Sequence, residues 1–138
     1  MSPLVSAYVD GACNPNPGRG GWGVLLSSGR YEKRLSGAVN EAETTNQRAE
    51  IHSAINALSA LNEPCRVRLF SDSQYLVKTM LGDYGRRRNH DLWEELDRVA
   101  APHKVEWLWV RGHAGARGNE IAHMLAERAI ESLLVQHG

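Results

Sequence analysis

Three acids stand in segments that otherwise read as structural. Asp10 closes the apolar stretch Val5-Ser6-Ala7-Tyr8-Val9-Asp10, and Asp72 closes Val67-Arg68-Leu69-Phe70-Ser71-Asp72. Glu50 falls in the second turn of a helix that begins near Thr44-Thr45-Asn46-Gln47. If the two stretches are parallel neighbouring strands, both aspartates lie at carboxyl ends, where open α/β sheets hold their ligands. The helix can then bring Glu50 over the same edge. Three gathered carboxylates repel one another and lose hydration. Divalent cations answer both costs, and an all-oxygen donor set suits Mg²⁺ or Mn²⁺. Taken singly, Asp10 reads equally as a strand end and Asp72 as a helix cap. The chemistry depends on their convergence.

Other residues could serve such a centre. His113 sits in the glycine-rich segment Val110-Arg111-Gly112-His113-Ala114-Gly115-Ala116-Arg117-Gly118, where a mobile imidazole can move protons or assist product release. Asn16 precedes the Gly18-Arg19-Gly20-Gly21 run, which lets a backbone approach closely. Asn46, Gln47 and Gln74 are amides beside the acids, suited to sugar hydroxyls and base edges, or simply to capping and turns. Arg86-Arg87-Arg88 with His90 forms a basic connection, either a phosphate grip or a solvated loop.

The elements that would position these groups follow from pattern. Leu4 to Asp10, Gly21 to Leu26 and Tyr31 to Leu35 read as strands, with a turn from Gly11 to Gly18 and a hairpin at Ser27-Ser28-Gly29-Arg30. Thr44 with Gln47 has the spacing of a capping box, and Ile51, Ile55, Leu58 and Leu61 form a helical stripe that Glu63-Pro64 ends. Arg66 to Phe70 is a strand. Ser71-Asp72-Ser73 can cap a helix running to Gly82. Leu92, Leu96 and Val99 mark another helix, Val105 to Val110 a strand, and Asn119 to about Leu134 the last helix, with 135–138 as a frayed end. The order β-β-β-α-β-α-α-β-α predicts an α/β fold with a mixed sheet.

Composition narrows the class. The chain has 138 residues, 42% apolar and 23% charged, which suits one globular domain over 1–138, expected to be a monomer. No apolar run approaches a membrane span, and the first residues lack the pattern of a signal peptide. Two cysteines, Cys13 and Cys65, make no disulfide framework, so a reducing, cytoplasmic setting is expected. Sixteen Lys and Arg balance sixteen Asp and Glu, which excludes a strongly basic nucleic-acid binder but not a local basic patch.

Together these residues resemble type 1 ribonuclease H. The matching stretches are Tyr8-Val9-Asp10-Gly11-Ala12-Cys13, Asn16-Pro17-Gly18 with Gly20-Gly21-Trp22-Gly23, Thr44-Thr45-Asn46-Gln47-Arg48-Ala49-Glu50, Ser71-Asp72-Ser73-Gln74-Tyr75, and Trp109-Val110-Arg111-Gly112-His113-Ala114-Gly115 with Asn119-Glu120. They occur in the family's order from about Val5 to Ala129. The resemblance implies the ribonuclease H-like fold, a five-stranded mixed sheet flanked by helices. It implies hydrolysis of the RNA strand of an RNA–DNA hybrid, leaving 5′-phosphate and 3′-hydroxyl ends. By the same resemblance, Asp10, Glu50 and Asp72 would hold two Mg²⁺ or Mn²⁺ ions. His113 would handle protons and product release. Asn16, Asn46, Gln47 and Gln74 would contact the hybrid's minor groove, and Thr45 a DNA-strand phosphate.

Two departures from the family pattern stand out. Ten residues after the loop histidine, where the family carries a fourth aspartate, this chain has His123. As a fourth ligand, His123 would remove one negative charge and favour Mn²⁺ over the harder Mg²⁺. Alternatively it touches metal-bound water, or Glu120 or Glu127 on the same helical face substitutes, or the ligand is simply lost. The second departure is a short connection from Leu81 to His90 in place of a long basic handle, with Arg86, Arg87 and Arg88 as a partial replacement. Such a grip should be weak and salt-sensitive. The rival reading is a catalytically weak or silent nucleic-acid-binding module, with a related nuclease or a purely structural partner behind it. The acidic cluster opposes a pure binder, since it would repel phosphate.

Overall fold

In the computed structural model, residues 2–112 and 116–137 are described, with side chains to 133. Nine elements follow in the expected order: β1 Leu4–Cys13, β2 Gly20–Ser28, β3 Tyr31–Ala38, α1 Asn46–Ser59, β4 Arg66–Ser71, α2 Gln74–Met80, α3 His90–Ala100, β5 Lys104–Trp109 and α4 Arg117–His137. The sheet runs β3-β2-β1-β4-β5. β1 pairs antiparallel with β2 and parallel with β4, and β4 is parallel to β5. β1 and β4 are thus the parallel neighbours that convergence of Asp10 and Asp72 requires.

Alternation along β1 and β2 assigns the two faces. Val5, Ala7, Val9, Val24 and Leu26 join Ile51, Ile55 and Leu58 of α1 and Leu92, Trp93 and Leu96 of α3 in one core. The opposite face of β1 and β2 is covered by α4, whose Ala122, Ala126 and Ile130 are buried. Two glycines set how closely these layers meet. A Cβ on Gly11 would lie 2.1 Å from the Ala49 carbonyl oxygen of α1, and one on Gly23 would lie 2.2 Å from the Ala122 carbonyl oxygen of α4. Among the described residues no helix is long and apolar enough to cross a membrane. Cys13 and Cys65 are buried free thiols.

Boundaries differ from expectation where pairing overrides local preference. Gly11 to Cys13 does not turn but extends β1, because Gly11 pairs with Trp22, Ala12 with Gly21 and Cys13 with Gly20. The capping box does not form on Thr44. The cap is Thr45, whose hydroxyl accepts the Arg48 N–H at 3.1 Å, so the third helical position holds Arg48 rather than Gln47. α1 ends at Ser59, ahead of Glu63-Pro64, and α4 starts at Arg117 rather than Asn119. Ser73, as expected, caps α2, accepting from the Leu76 N–H at 3.0 Å.

Candidate active site

Asp10 lies in β1 opposite Gly23 and is only 8% exposed. The charge of Asp72, which follows β4 directly, acts on its carboxyl group. The backbone around Asp72 is held from two sides: its carbonyl accepts the Trp109 indole N–H at 3.1 Å, and the Ser73 N–H donates to Ser71 Oγ at 3.0 Å. Glu50 arrives from α1, and the Ser73 hydroxyl donates to its Oε2 at 2.5 Å. One serine therefore performs two tasks. Its oxygen caps α2 while its proton fixes Glu50.

The electrostatics follow from crowding. Burial, reinforced by the charge of Asp72, raises Asp10 to about 6, although the His123 contact pulls the other way. Burial raises Glu50 to about 7; its bond to Ser73 opposes this, and the charges of Asp72 and Asp10 add to it. His123, on α4, lies with Nδ1 2.8 Å from Asp10 Oδ2 and Nε2 2.9 Å from Glu127 Oε1. Burial alone would lower the imidazole pKa, but the bond to Asp10 and the charges of Asp10, Glu127 and Asp72 raise it overall. The centre is short of positive charge, and its donors are hard oxygens. That donor set fits divalent cations in type. It is not a closed cage, since among the described residues no three His, Cys, Asp or Glu side chains gather into a ready-made chelate.

The amides nearby are partly committed. Asn46 Oδ1 accepts the Cys13 N–H at 2.8 Å, and Asn16 Oδ1 accepts the Asn46 N–H at 3.2 Å, stitching the loop after β1 to the start of α1. Gln47 and Gln74 are exposed in the first turns of α1 and α2. Gln47 faces a 450 Å³ groove lined also by Tyr75, Tyr84, Arg87 and Arg88. The arginine run divides here. Arg86 is engaged by Asp97 at 2.5 and 2.9 Å and lies 5.6 Å from the centroid of the Trp93 ring, so it anchors the connection to α3. His113 lies outside the described residues.

Sequence reasoning missed a second network beside the first. Arg48 binds Glu41 and Asp91, each at 2.7 Å, and donates to Asn89 Oδ1 at 3.1 Å. Asn89, in the left-handed conformation at φ 61°, also donates to the Tyr75 hydroxyl at 2.9 Å. Hydrogen bonding to Arg48 holds Glu41 at about 2. This network ties α1, α2 and α3 together beside Thr45 and Gln47. Its members are 43 residues apart in places, so no local pattern announces it.

Comparison with known proteins agrees with this geometry. The profile of the RNase H family matches residues 3–131. The curated Ribonuclease H of Nitrosococcus oceani is 50% identical, with 94% of this chain and 96% of that protein covered. The crystal structure of LC9-RNase H1, described as a type 1 RNase H with the type 2 active-site motif, superposes with a TM-score of 0.81 at 32% identity, over 96% of this chain and 74% of that one. LC11-RNase H1 in complex with an RNA/DNA hybrid shares the fold, with a TM-score of 0.81 at 23% identity over 94% of this chain and 99% of that one.

Proposed function

The chain belongs to the type 1 RNase H family, and from that premise we propose that it hydrolyses the RNA strand of RNA–DNA hybrids, leaving 5′-phosphate and 3′-hydroxyl ends. The observation that carries this reading is the meeting of Asp10, Glu50 and Asp72 at one sheet edge, with Asp10 and Glu50 raised by burial to about 6 and about 7. Asp10, Glu50 and Asp72 would hold two divalent cations, Mg²⁺ or Mn²⁺. Such ions activate an attacking water and stabilise the leaving oxygen of a phosphodiester. Ser73 keeps Glu50 aimed at the shared edge. His123 occupies the fourth position of the site and contacts Asp10. His113, in the loop ahead of α4, would accept or return the proton and assist product release.

Substrate selection falls to the surrounding polar groups. With the oxygens of Asn16 and Asn46 engaged, their NH₂ ends are the groups to read acceptors such as 2′-hydroxyls and base edges, together with Gln47 and Gln74. Thr45 would grip a DNA-strand phosphate. Arg87 and Arg88 would hold backbone phosphates along the groove. We further place the protein in the cytoplasm, acting as a monomer.

The test is cleavage of a labelled RNA–DNA hybrid, titrated with Mg²⁺ and separately with Mn²⁺. RNA-strand cleavage that needs either ion and is lost in Asp72→Asn is expected. Hybrid binding with no cleavage in either metal would overturn it in favour of a silent binding module.

A further inference from the structure

We propose that Arg48 is a positioning residue for hybrid binding: by spanning Glu41, Asp91 and Asn89, its guanidinium sets how Arg87 and Arg88 face Gln47 across the groove. This rests on the reading above that Arg87 and Arg88 hold backbone phosphates, and it adds what places them there.

A guanidinium carries five N–H donors in a rigid fork. Arg48 uses all of them within the fold. Nε and Nη2 donate to Glu41 at 3.0 and 2.7 Å, Nη1 and Nη2 donate to Asp91 at 3.1 and 2.7 Å, and Nη1 also donates to Asn89 Oδ1 at 3.1 Å. No donor is left over for a substrate phosphate, so Arg48 acts through its neighbours. Its backbone belongs to the turn that presents Gln47, since its N–H donates to Thr45 Oγ1 at 3.1 Å.

Asn89 is where the far side of the groove is fastened. It stands at the N-cap of α3 with φ 61°, yet its side chain makes no capping bond to that helix. An N-cap asparagine ordinarily accepts an N–H of its own first turn. Here Oδ1 turns to Arg48 of α1 and Nδ2 donates to the Tyr75 hydroxyl of α2. Arg87 and Arg88 are the two residues immediately before Asn89. They line the groove together with Gln47 and Tyr75. One arginine side chain therefore ties the two walls together.

The connection has another anchor, Arg86 on Asp97, but Asp97 belongs to α3. That anchor fixes the run to α3 and leaves its distance from α1 open. Stability is not what the Arg48 network chiefly supplies. Asp91 is 64% exposed, and ion pairs of that kind add little to folding. A fork gripped by two carboxylates adds direction.

Charge and geometry predict opposite signs for one variant. Asp91→Ala removes an acid from the network beside the groove, so charge alone would tighten the hold on a polyanion. If Arg48 sets the groove, the same change loosens it.

The test measures hybrid binding by fluorescence anisotropy in chelator at several salt concentrations, and kcat and KM for cleavage in Mg²⁺. Asp91→Ala should weaken binding and raise KM about tenfold, the scale of losing charge-assisted contacts, with kcat unchanged. Its salt slope should shallow by about 1 to 2, as when both arginines are removed. Arg48→Lys keeps the charge but not the fork, and should show the same loss. In an Arg87→Ala, Arg88→Ala background, Asp91→Ala should add little. Binding by Asp91→Ala as tight as wild type or tighter overturns the proposal. So does a loss of the same size in the background without the two arginines, or a fall in kcat with KM unchanged. Failure of the underlying reading looks different: Arg87→Ala, Arg88→Ala would itself bind like wild type, and the proposal would fall with it. If wild type cleaves nothing, the anisotropy arms still decide. Should Asp91→Ala lose its circular dichroism, Arg48→Lys decides by the same measurements.

Discussion

Asp10 and Glu50 hold protons at pH values where free carboxylates have lost them. Their ordinary values are 3.8 and 4.5, and burial first, then mutual repulsion, lifts them to about 6 and about 7. The folded chain therefore binds protons more tightly than the unfolded chain across that interval. Stability of the metal-free protein must fall as pH climbs from about 4 to about 7. His123 acts in the same direction. Its raised value means its stabilisation is complete below its ordinary 6.5 and is lost as pH rises through the folded value. Thermal melts in chelator should thus show a melting temperature that drops with rising pH through this window, and Asp10→Asn should flatten the drop. A melting temperature that rises with pH there would contradict the crowding argument. The same physics opposes stability to activity. Asp72→Asn removes a charge that repels both neighbours, so the metal-free variant should melt higher than wild type. It should also lose at least about a hundredfold in kcat, because stabilisation worth several kcal/mol leaves with the ligand.

At the scale of elements, the site depends on how closely helices approach the sheet. Gly23 is the sharpest case. A Cβ there would meet the Ala122 carbonyl oxygen at 2.2 Å, both groups being backbone, so α4 has to lift. Gly23→Ala should cost about 2 kcal/mol, the scale of overpacking a tight contact, and should separate His123 from Asp10. A chemical denaturation curve measures the first effect, and the His123 ring nitrogen shifts report the second. The sequence disclosed the elements well because each carries its own period. The stripe Ile51, Ile55, Leu58 and the β-formers from Leu4 to Asp10 were both readable. It singled out Asp10 and Asp72 because an acid ending an apolar run is conspicuous, and Glu50 because it falls in the second turn of a capped helix; the family resemblance implied their roles. It did not disclose Ser73 as a partner of Glu50, since a cap looks the same whatever its hydroxyl proton does. It did not disclose the pairing of Arg86 with Asp97, because a run of three arginines does not say which one an aspartate on the next helix will take. It placed the end of β1 too early, because Gly11 to Cys13 is turn-prone until Gly20 to Trp22 arrives to pair with it.

For the whole molecule, sixteen positive and sixteen negative side chains leave no net field to draw in a polyanion. Capture of a hybrid must rest on where the cations lie. Around the site, Arg48 is bound by Glu41 and Asp91, Arg86 by Asp97, and Arg117 by Glu32. Each of those arginines is neutralised within the fold and releases few counterions on binding. Arg87 and Arg88 are exposed along the groove beside Gln47 and Tyr75, and the proposed phosphate grip rests on them. Each phosphate contact adds roughly 0.9 to the slope of log affinity against log salt for a B-form duplex. Replacing both Arg87 and Arg88 by alanine should therefore shallow the slope for hybrid binding by about 1 to 2. Arg86→Ala should leave that slope nearly unchanged and instead lower the melting temperature, because it removes the Asp97 pair and the Trp93 contact. Hybrid binding measured by fluorescence anisotropy at several salt concentrations separates these outcomes. A slope that responds to Arg86→Ala as strongly as to the double variant would mean that the Arg86–Asp97 pair opens to meet the substrate. The connection after α2 would then act as a single basic surface, and its anchoring to α3 would hold only in the absence of the hybrid.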